Sequence, residues 1–492
     1  MDESQVTKGG ASGAQDGLRE PPRGLGAVLR SLGPGMIVAG SVVGSGELIA
    51  TTKVGGQSGF WLLWLILIGC AIKVFTQVEF GRFSLATGKT TLEGLNELPG
   101  PRMGSHVVLW LWCVQALFLL GLLSGILGAL GHALTTALPL TDGGSEWVAL
   151  QGERVRWSLA GAGGVAPDVP EAPLDIHLWA LVVVLLTTWL LVVGRFKLVQ
   201  NLSTVLVCTF TAVTVGTVVL LQGNPEWAVT ADELKQGLSF KLPPGDEGSL
   251  GTALAAFGMI GIGASELVMY PYWCQEKGYA RWTGPREDSE SWLRRAQGWM
   301  RVMRLDAGVS LVVYTTATVA FFLLGAATLK RVGLEPTNDE LIPTLAGMYE
   351  PVFGVWAVSV FLMGAVAVLY STFFVAQASF ALLFTDAVKV LGFGGGDAAW
   401  IERTRRAFRW VLPTICLGIF ILWPRPVMLV LLGGLAQALI LPVLGAAALY
   451  FRYQRTPKGL APGKLWDVCL WASCLGFLVV SLKVLTDKLS GL

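Results

Sequence analysis

The chain alternates between long apolar stretches and short polar connections. A helix needs about 20 mostly apolar residues to cross a bilayer. Eleven stretches meet that test, at roughly 33–55, 60–86, 106–136, 176–194, 197–222, 250–274, 301–329, 352–388, 407–423, 426–451 and 465–486. They predict an all-α polytopic membrane protein. The first and sixth stretches are interrupted halfway. Gly44-Ser45-Gly46-Glu47 lies in one and Gly263-Ala264-Ser265-Glu266 in the other, and the two glutamates are 219 residues apart. Each motif runs on into an aliphatic pair, Leu48-Ile49 and Leu267-Val268. Gly costs roughly 1 kcal/mol in a helix interior relative to Ala. A carboxylate at the bilayer centre costs about 2.5–3.5 kcal/mol on insertion scales and marks a functional site by default. Five stretches begin at each break, so the second set enters the membrane from the opposite side. The expected architecture is a 5+5 inverted repeat with an eleventh helix. Its parts are repeat one (about 33–222), repeat two (about 250–451) and the extra helix 465–486, all in one transmembrane domain, 31–492.

Charge adds orientation. Lys and Arg mark cytoplasmic loops. With the N-terminus inside, the inner connections hold Lys89 and Arg102, Arg195 and Lys197, Arg281 to Arg301, Lys389 to Arg409, and Arg452 to Lys464. The C-terminus then lies outside, in the plasma or inner membrane. Residues 1–30 are polar and glycine-rich, and read as a disordered cytoplasmic tail without a cleavable signal. The connection 137–175 reads as an irregular outside cap, and 276–300 as holding a short surface helix. At 53% hydrophobic, 14% charged and net charge +2, the chain implies a lipid environment and no nucleic-acid partner. The seven cysteines lie in or beside apolar segments, with no CxxC spacing, and His106, His132 and His177 do not cluster. No cofactor and no catalytic constellation is implied, so an enzyme is not expected. Oligomeric state is not encoded in these patterns.

The two interruptions carry the chemistry. Unwound backbone at membrane depth is tolerated only where it faces protein, a cavity or a ligand. Freed carbonyls beside Glu47 and Glu266 would make an oxygen-rich cation site, suited to a hard ion such as Mg²⁺ or Mn²⁺. The competing reading is a small-residue face for close helix packing with Glu47 hydrogen-bonded to a neighbour in the first span, and a glycine-lined kink with a buried, protonated Glu266 in the sixth. Pro271 weakens the sixth helix further. Gly44, Ser41, Ser45, Ala264 and Ser265 complete the candidate substrate site, with Glu47 and Glu266 as candidate metal ligands. Lys73, Gln77, Gln115, Gln377 and Gln437 are secondary polar or gating candidates. Asp306 reads as an interfacial partner of Arg304, and Met259, Met269 and Met363 as packing.

Several motifs resemble the Nramp divalent-metal transporters: Gly33-Pro34-Gly35-Met36-Ile37-Val38-Ala39, Phe60-Trp61-Leu62-Leu63-Trp64, Thr87-Gly88-Lys89, Gly194-Arg195-Phe196-Lys197-Leu198, Phe257-Gly258-Met259-Ile260-Gly261 and Arg304-Leu305-Asp306. The resemblance covers most of residues 30–450 and implies a LeuT-like fold with alternating access. The departures fall on the site. The family's Asp-Pro-Gly-Asn reads Gly44-Ser45-Gly46-Glu47 here. Leu267 and Met269 stand where the family has a metal-binding methionine and a histidine. Ala264 matches the alanine whose carbonyl binds the family's metal, and Ser41 the preceding position in the first segment. Val114 to Leu127 lacks the acidic pair of the third segment. The resemblance therefore implies a Nramp-like secondary transporter of a hard divalent cation, similar to the Nramp-related magnesium transporters. Two alternatives stay open: a carrier of a small organic or amino-acid-like solute in the same fold, and a non-transporting membrane sensor or subunit.

Overall fold

We describe the fold from a computed structural model, which covers residues 17–159, 170–194, 196–244, 247–338 and 340–490. Residues 1–16 of the expected tail, the glycine cluster 161–164 and Arg195 lie outside the described residues, as do the side chains of Ser41 and Ser45. A helix stands at each of the eleven apolar stretches. Spans two to five are Leu63–Thr87, Val107–Ala137, Leu174–Val193 and Phe196–Leu221, and span seven is Glu290–Leu324. Spans eight to eleven are Ala357–Val390, Ala398–Leu422, Pro426–Tyr450 and Lys464–Ser490. Eight of the described helices are long and apolar enough to cross a membrane. The ninth helix begins well before its expected start because Glu402, Arg403, Arg405 and Arg406 form a charged, membrane-flanking first half. The only strands among the described residues are two-residue segments, Arg102–Met103 and Ser105–His106.

Spans one and six are discontinuous, each in its own way. Span one runs as an α-helix over Pro34–Val42, turns at Val43 and Gly44, continues as a π-helix over Ser45–Thr51 and ends as an α-helix over Thr52–Ser58. Such π segments are rare and gather at functional sites. Span six is an α-helix over Glu247–Met259, loses helical form over 260–263, and resumes over Ala264–Lys277. Its unwound part therefore precedes the Gly263-Ala264-Ser265-Glu266 motif and overlaps it only at Gly263. Gly261 makes the break possible, with φ +63, a conformation that side chains resist. Any Cβ there would also sit 3.0 Å from the Tyr314 ring.

Packing around the breaks relies on backbone contact. A Cβ on Gly258 would lie 2.0 Å from Gly434 O, so spans six and ten touch main chain to main chain. The start of span one is pinned by Asp306 of span seven. Asp306 Oδ1 accepts from Gly33 N (2.9 Å), and its Oδ2 accepts from Gly35 N (2.6 Å) and Tyr270 Oη (3.1 Å). This corrects the expected pairing with Arg304. Residues two apart on a helix face different ways, so Asp306 is buried while Arg304 is exposed. Two loop expectations also change. The 137–175 connection contains a helix, Asp142–Leu159, tied to residue 340 by an Arg154–Glu340 ion pair of 2.7 Å. Residues 18–30, expected within the tail, hold all but the last residue of a helix over Leu25–Ser31, and Arg19 O accepts from Trp299 Nε1 at 3.0 Å. The 276–300 connection does hold a short helix, Tyr279–Thr283.

Outward faces are apolar. Leu181, Leu185 and Trp189 on span four, and Val468, Trp471, Leu475 and Leu482 on span eleven, are all exposed. Together with the long apolar helices, this exposed apolar surface makes the chain an integral membrane protein.

Candidate functional site

A continuous sixth helix would pair Gly261 N–H with Phe257 O. The break releases that amide, which donates instead to Glu47 Oε1 of span one at 3.2 Å. Thr318 Oγ1 of span seven also meets Glu47 Oε1, at 3.0 Å. Glu47 is completely buried, and its Oε2 has no hydrogen-bond partner among the described residues. The carboxylate of one broken span thus holds the unwound backbone of the other. The loosened backbone of span one is served by hydroxyls: Thr51 Oγ1 donates to Gly46 O (2.8 Å), and Ser371 Oγ of span eight to Gly40 O (3.4 Å).

Glu266 is the third residue of the second half of span six, where the N-terminus of Ala264–Lys277 favours negative charge. Its Oε2 accepts from Ser265 Oγ at 2.8 Å. Gln437 Oε1 of span ten accepts from Ser265 N and Ser265 Oγ, both at 3.2 Å. Glu266, Ser265, Gln437, Thr372 and Met259 border a cavity of about 30 Å³, closed off by aliphatic residues of span three such as Leu119 and Leu122. Thr372 Oγ1 has no partner among the described residues. It approaches span one where only a glycine fits, since a Cβ on Gly44 would lie 2.1 Å from it. Span eight continues from this cavity to a larger one of about 410 Å³, where Asp386 Oδ2 accepts from Thr90 Oγ1 (2.6 Å) and Tyr272 Oη (2.5 Å).

The structure thus gathers Glu266, Ser265, Ala264 and Gln437 on the sixth-span side, and Glu47 and Gly44 on the first. Glu47 and Glu266 are within electrostatic reach of one another, but Glu47 does not border the small cavity. Lys73 donates to Phe257 O and to Ile260 O (2.8 Å), at the break in span six. The other glutamines stand apart. Gln377 Nε2 donates to Cys416 Sγ of span nine at 3.2 Å, and neither end of the Gln77 amide nor Gln115 Nε2 has a partner among the described residues. Leu267 and Met269 are buried away from the cavity. Sequence reasoning missed Thr318 and Thr372, because a threonine inside an apolar helix gives no signal of its own. It assigned Met259 to packing, and this residue packs against Gly434 while also bordering the cavity. No group of three His, Cys, Asp or Glu side chains gathers among the described residues, so acids alone do not form a complete coordination shell.

Two discontinuous helices, each opening a set of five spans, with one helix added at the end, define a membrane protein of the LeuT-like inverted-repeat class. Within that class, the family model for natural resistance-associated macrophage protein-like (Nramp) proteins matches residues 163–487, and the chain belongs to this family. It is 29% identical over 129 residues to the divalent metal cation transporter MntH of Bacillus subtilis, a match covering 26% of this chain and 30% of that protein. MntH of Verminephrobacter eiseniae is 27% identical over 123 residues, covering 25% of this chain and 27% of its own. The chain therefore spans less than a third of the length of these curated relatives. Among solved structures, a mutant of the Eremococcus coleocola manganese transporter superposes with TM-score 0.62 at 15% identity, over 96% of this chain and 90% of that one. Mhp1, a nucleobase-cation-symport-1 family transporter, gives TM-score 0.51 at 15% identity over 92% and 91%. At such identities the likeness speaks for the fold alone.

Proposed function

We propose that the chain is a secondary transporter that moves a hard divalent cation, such as Mg²⁺ or Mn²⁺, by alternating access between its two broken spans. One observation carries this reading. The cavity beside the Glu266 carboxylate, bordered by the Gln437 amide oxygen and the Thr372 hydroxyl, has about 30 Å³. That space is of the order of one water molecule, which suits an ion and is too small in this conformation for an amino-acid-like solute. Carboxylate, amide and hydroxyl oxygens are donors that hard cations prefer. Met259 also borders the cavity, so Mn²⁺, which accepts softer donors than Mg²⁺, belongs in any test beside it. Family membership and the named activity of the MntH relatives support a metal cargo.

In this reading Glu266 is the direct ligand, with Gln437 and the Ser265 hydroxyl beside it. Glu47 supplies a second negative charge and holds the sixth-span backbone open through Gly261. Residues 31–492 act as one transport unit, with the N-terminus cytoplasmic and the C-terminus outside, as the Lys and Arg distribution favours.

Uptake into proteoliposomes, measured across Mg²⁺, Mn²⁺, Ca²⁺ and small amines, tests the proposal. Divalent uptake is expected in the wild type and is lost in Glu266→Gln and Glu47→Gln. Uptake of an amine or other organic solute with no metal flux, or full metal uptake by Glu266→Gln, overturns it.

A further inference from the structure

Lys73 is fully buried in span two, and its ammonium forms no ion pair among the described residues. It donates to Phe257 O and to Ile260 O (2.8 Å), and stands 4.9 Å from the centroid of the Phe257 ring. Two carbonyl oxygens and one aromatic face suit the three donors of a charged ammonium. The oxygens are particular ones. In an unbroken helix Phe257 O and Ile260 O would accept from the amides of Gly261 and Ala264, four residues on. Gly261 N has gone to Glu47, and Ala264 opens the next helix. Lys73 therefore fills the carbonyl end that the break exposes. Such an end carries partial negative charge and cannot remain unsatisfied in lipid.

We infer that the carbonyl cup formed by Phe257 O and Ile260 O is a monovalent-cation site, and that Lys73 is its permanent, tethered occupant. A free alkali ion is not needed there. The positive charge of Lys73 opposes those of Glu47 and Glu266. Only the transport arm of the following test rests on the function proposed above.

The full chain is purified as wild type, Lys73→Ala (cup emptied) and Lys73→Met (cup filled by an uncharged chain of similar length). Thermal midpoints are read in choline, sodium, potassium and methylammonium chloride at one ionic strength. The wild type and Lys73→Met are expected to be indifferent to the cation. The Lys73→Ala midpoint rises by several degrees, on the order of about 5 °C, in sodium or methylammonium relative to choline, as for ligand binding to the folded state. In proteoliposomes, Lys73→Ala uptake of Mn²⁺ falls roughly 100-fold in choline, the scale of removing one member of a buried charge set, and recovers at least about tenfold with the small cation. An Ala variant no more cation-sensitive than the wild type, or a Met variant equally sensitive, overturns the inference. If Lys73→Ala folds only when purified with a small cation, the inference is supported. If no cation yields folded protein, it fails. A wild type that carries no divalent metal, beside an Ala variant whose midpoint still responds, leaves the cup standing and removes the transport reading.

Discussion

Thr318 shows how much one hydroxyl can decide in this fold. It lies 3.0 Å from Glu47 Oε1 and 2.7 Å from Tyr314 O. Replacing it by valine keeps the shape and deletes the polar contact with a buried carboxylate. Glu47 Oε1 keeps the Gly261 amide, and losing its second hydrogen bond costs about 0.5–1.5 kcal/mol, so Thr318→Val should unfold measurably earlier in detergent, while Thr318→Ser stays near the wild type. A Thr318→Val protein as stable as Thr318→Ser would mean that Glu47 does not depend on this contact. Asp306 gives a second residue-scale expectation. Asp306→Asn keeps the side-chain shape but loses the charge that receives Gly33 N and Gly35 N. Hydrogen bonds to charged groups contribute about 1.5–3 kcal/mol each. The loss should appear as lower stability and faster amide exchange over Pro34–Val42, and unchanged exchange there contradicts the capping role.

At the scale of elements, the broken sixth span can be dissected with two glycines of the same helical half. Gly258 meets Gly434 O across the crossing with span ten, whereas a Cβ on Gly251 would meet nothing within 4 Å. Alanine favours a helix over glycine by roughly 1 kcal/mol at either position. Gly251→Ala should therefore keep or raise the thermal midpoint, and Gly258→Ala should lower it sharply. Equal midpoints would refute the close backbone crossing. The contrast also explains what could be read from the sequence. Segment number, the two interruptions and their equivalent places were legible because hydrophobicity and glycine placement report local preference. The form of each break was not. Span one keeps a π-helix through Glu47, where Thr51 and Thr52 serve the carbonyls of Gly46 and Glu47, and both hydroxyls look unremarkable in sequence. Span six opens ahead of its motif because Gly261, not Gly263, takes the left-handed conformation. The glutamines illustrate the same limit. All four lie in apolar helices, but only Gln437 faces Glu266, and which way a lone glutamine points depends on tertiary packing.

For the whole molecule, the breaks, the acids and Lys73 form one connected arrangement spanning both repeats. Glu47 holds the amide and Lys73 the carbonyl that the sixth-span break separates, while Glu266 stands on the next helix at the small cavity. The small residues pack closely, and the proposed site lies beside them. Gly258 and Gly44 allow close approach, and that approach brings Thr372 and Gln437 to the cavity beside Glu266. The central claim is that a divalent cation binds here, between the repeats. Anomalous X-ray scattering from crystals grown with Mn²⁺ tests it most directly. The account predicts a peak at roughly 2.0–2.6 Å from a Glu266 carboxylate oxygen, the range for oxygen ligands of such cations, and its loss in Glu266→Gln. Manganese found only elsewhere on the molecule, or a peak unchanged in Glu266→Gln, would contradict it.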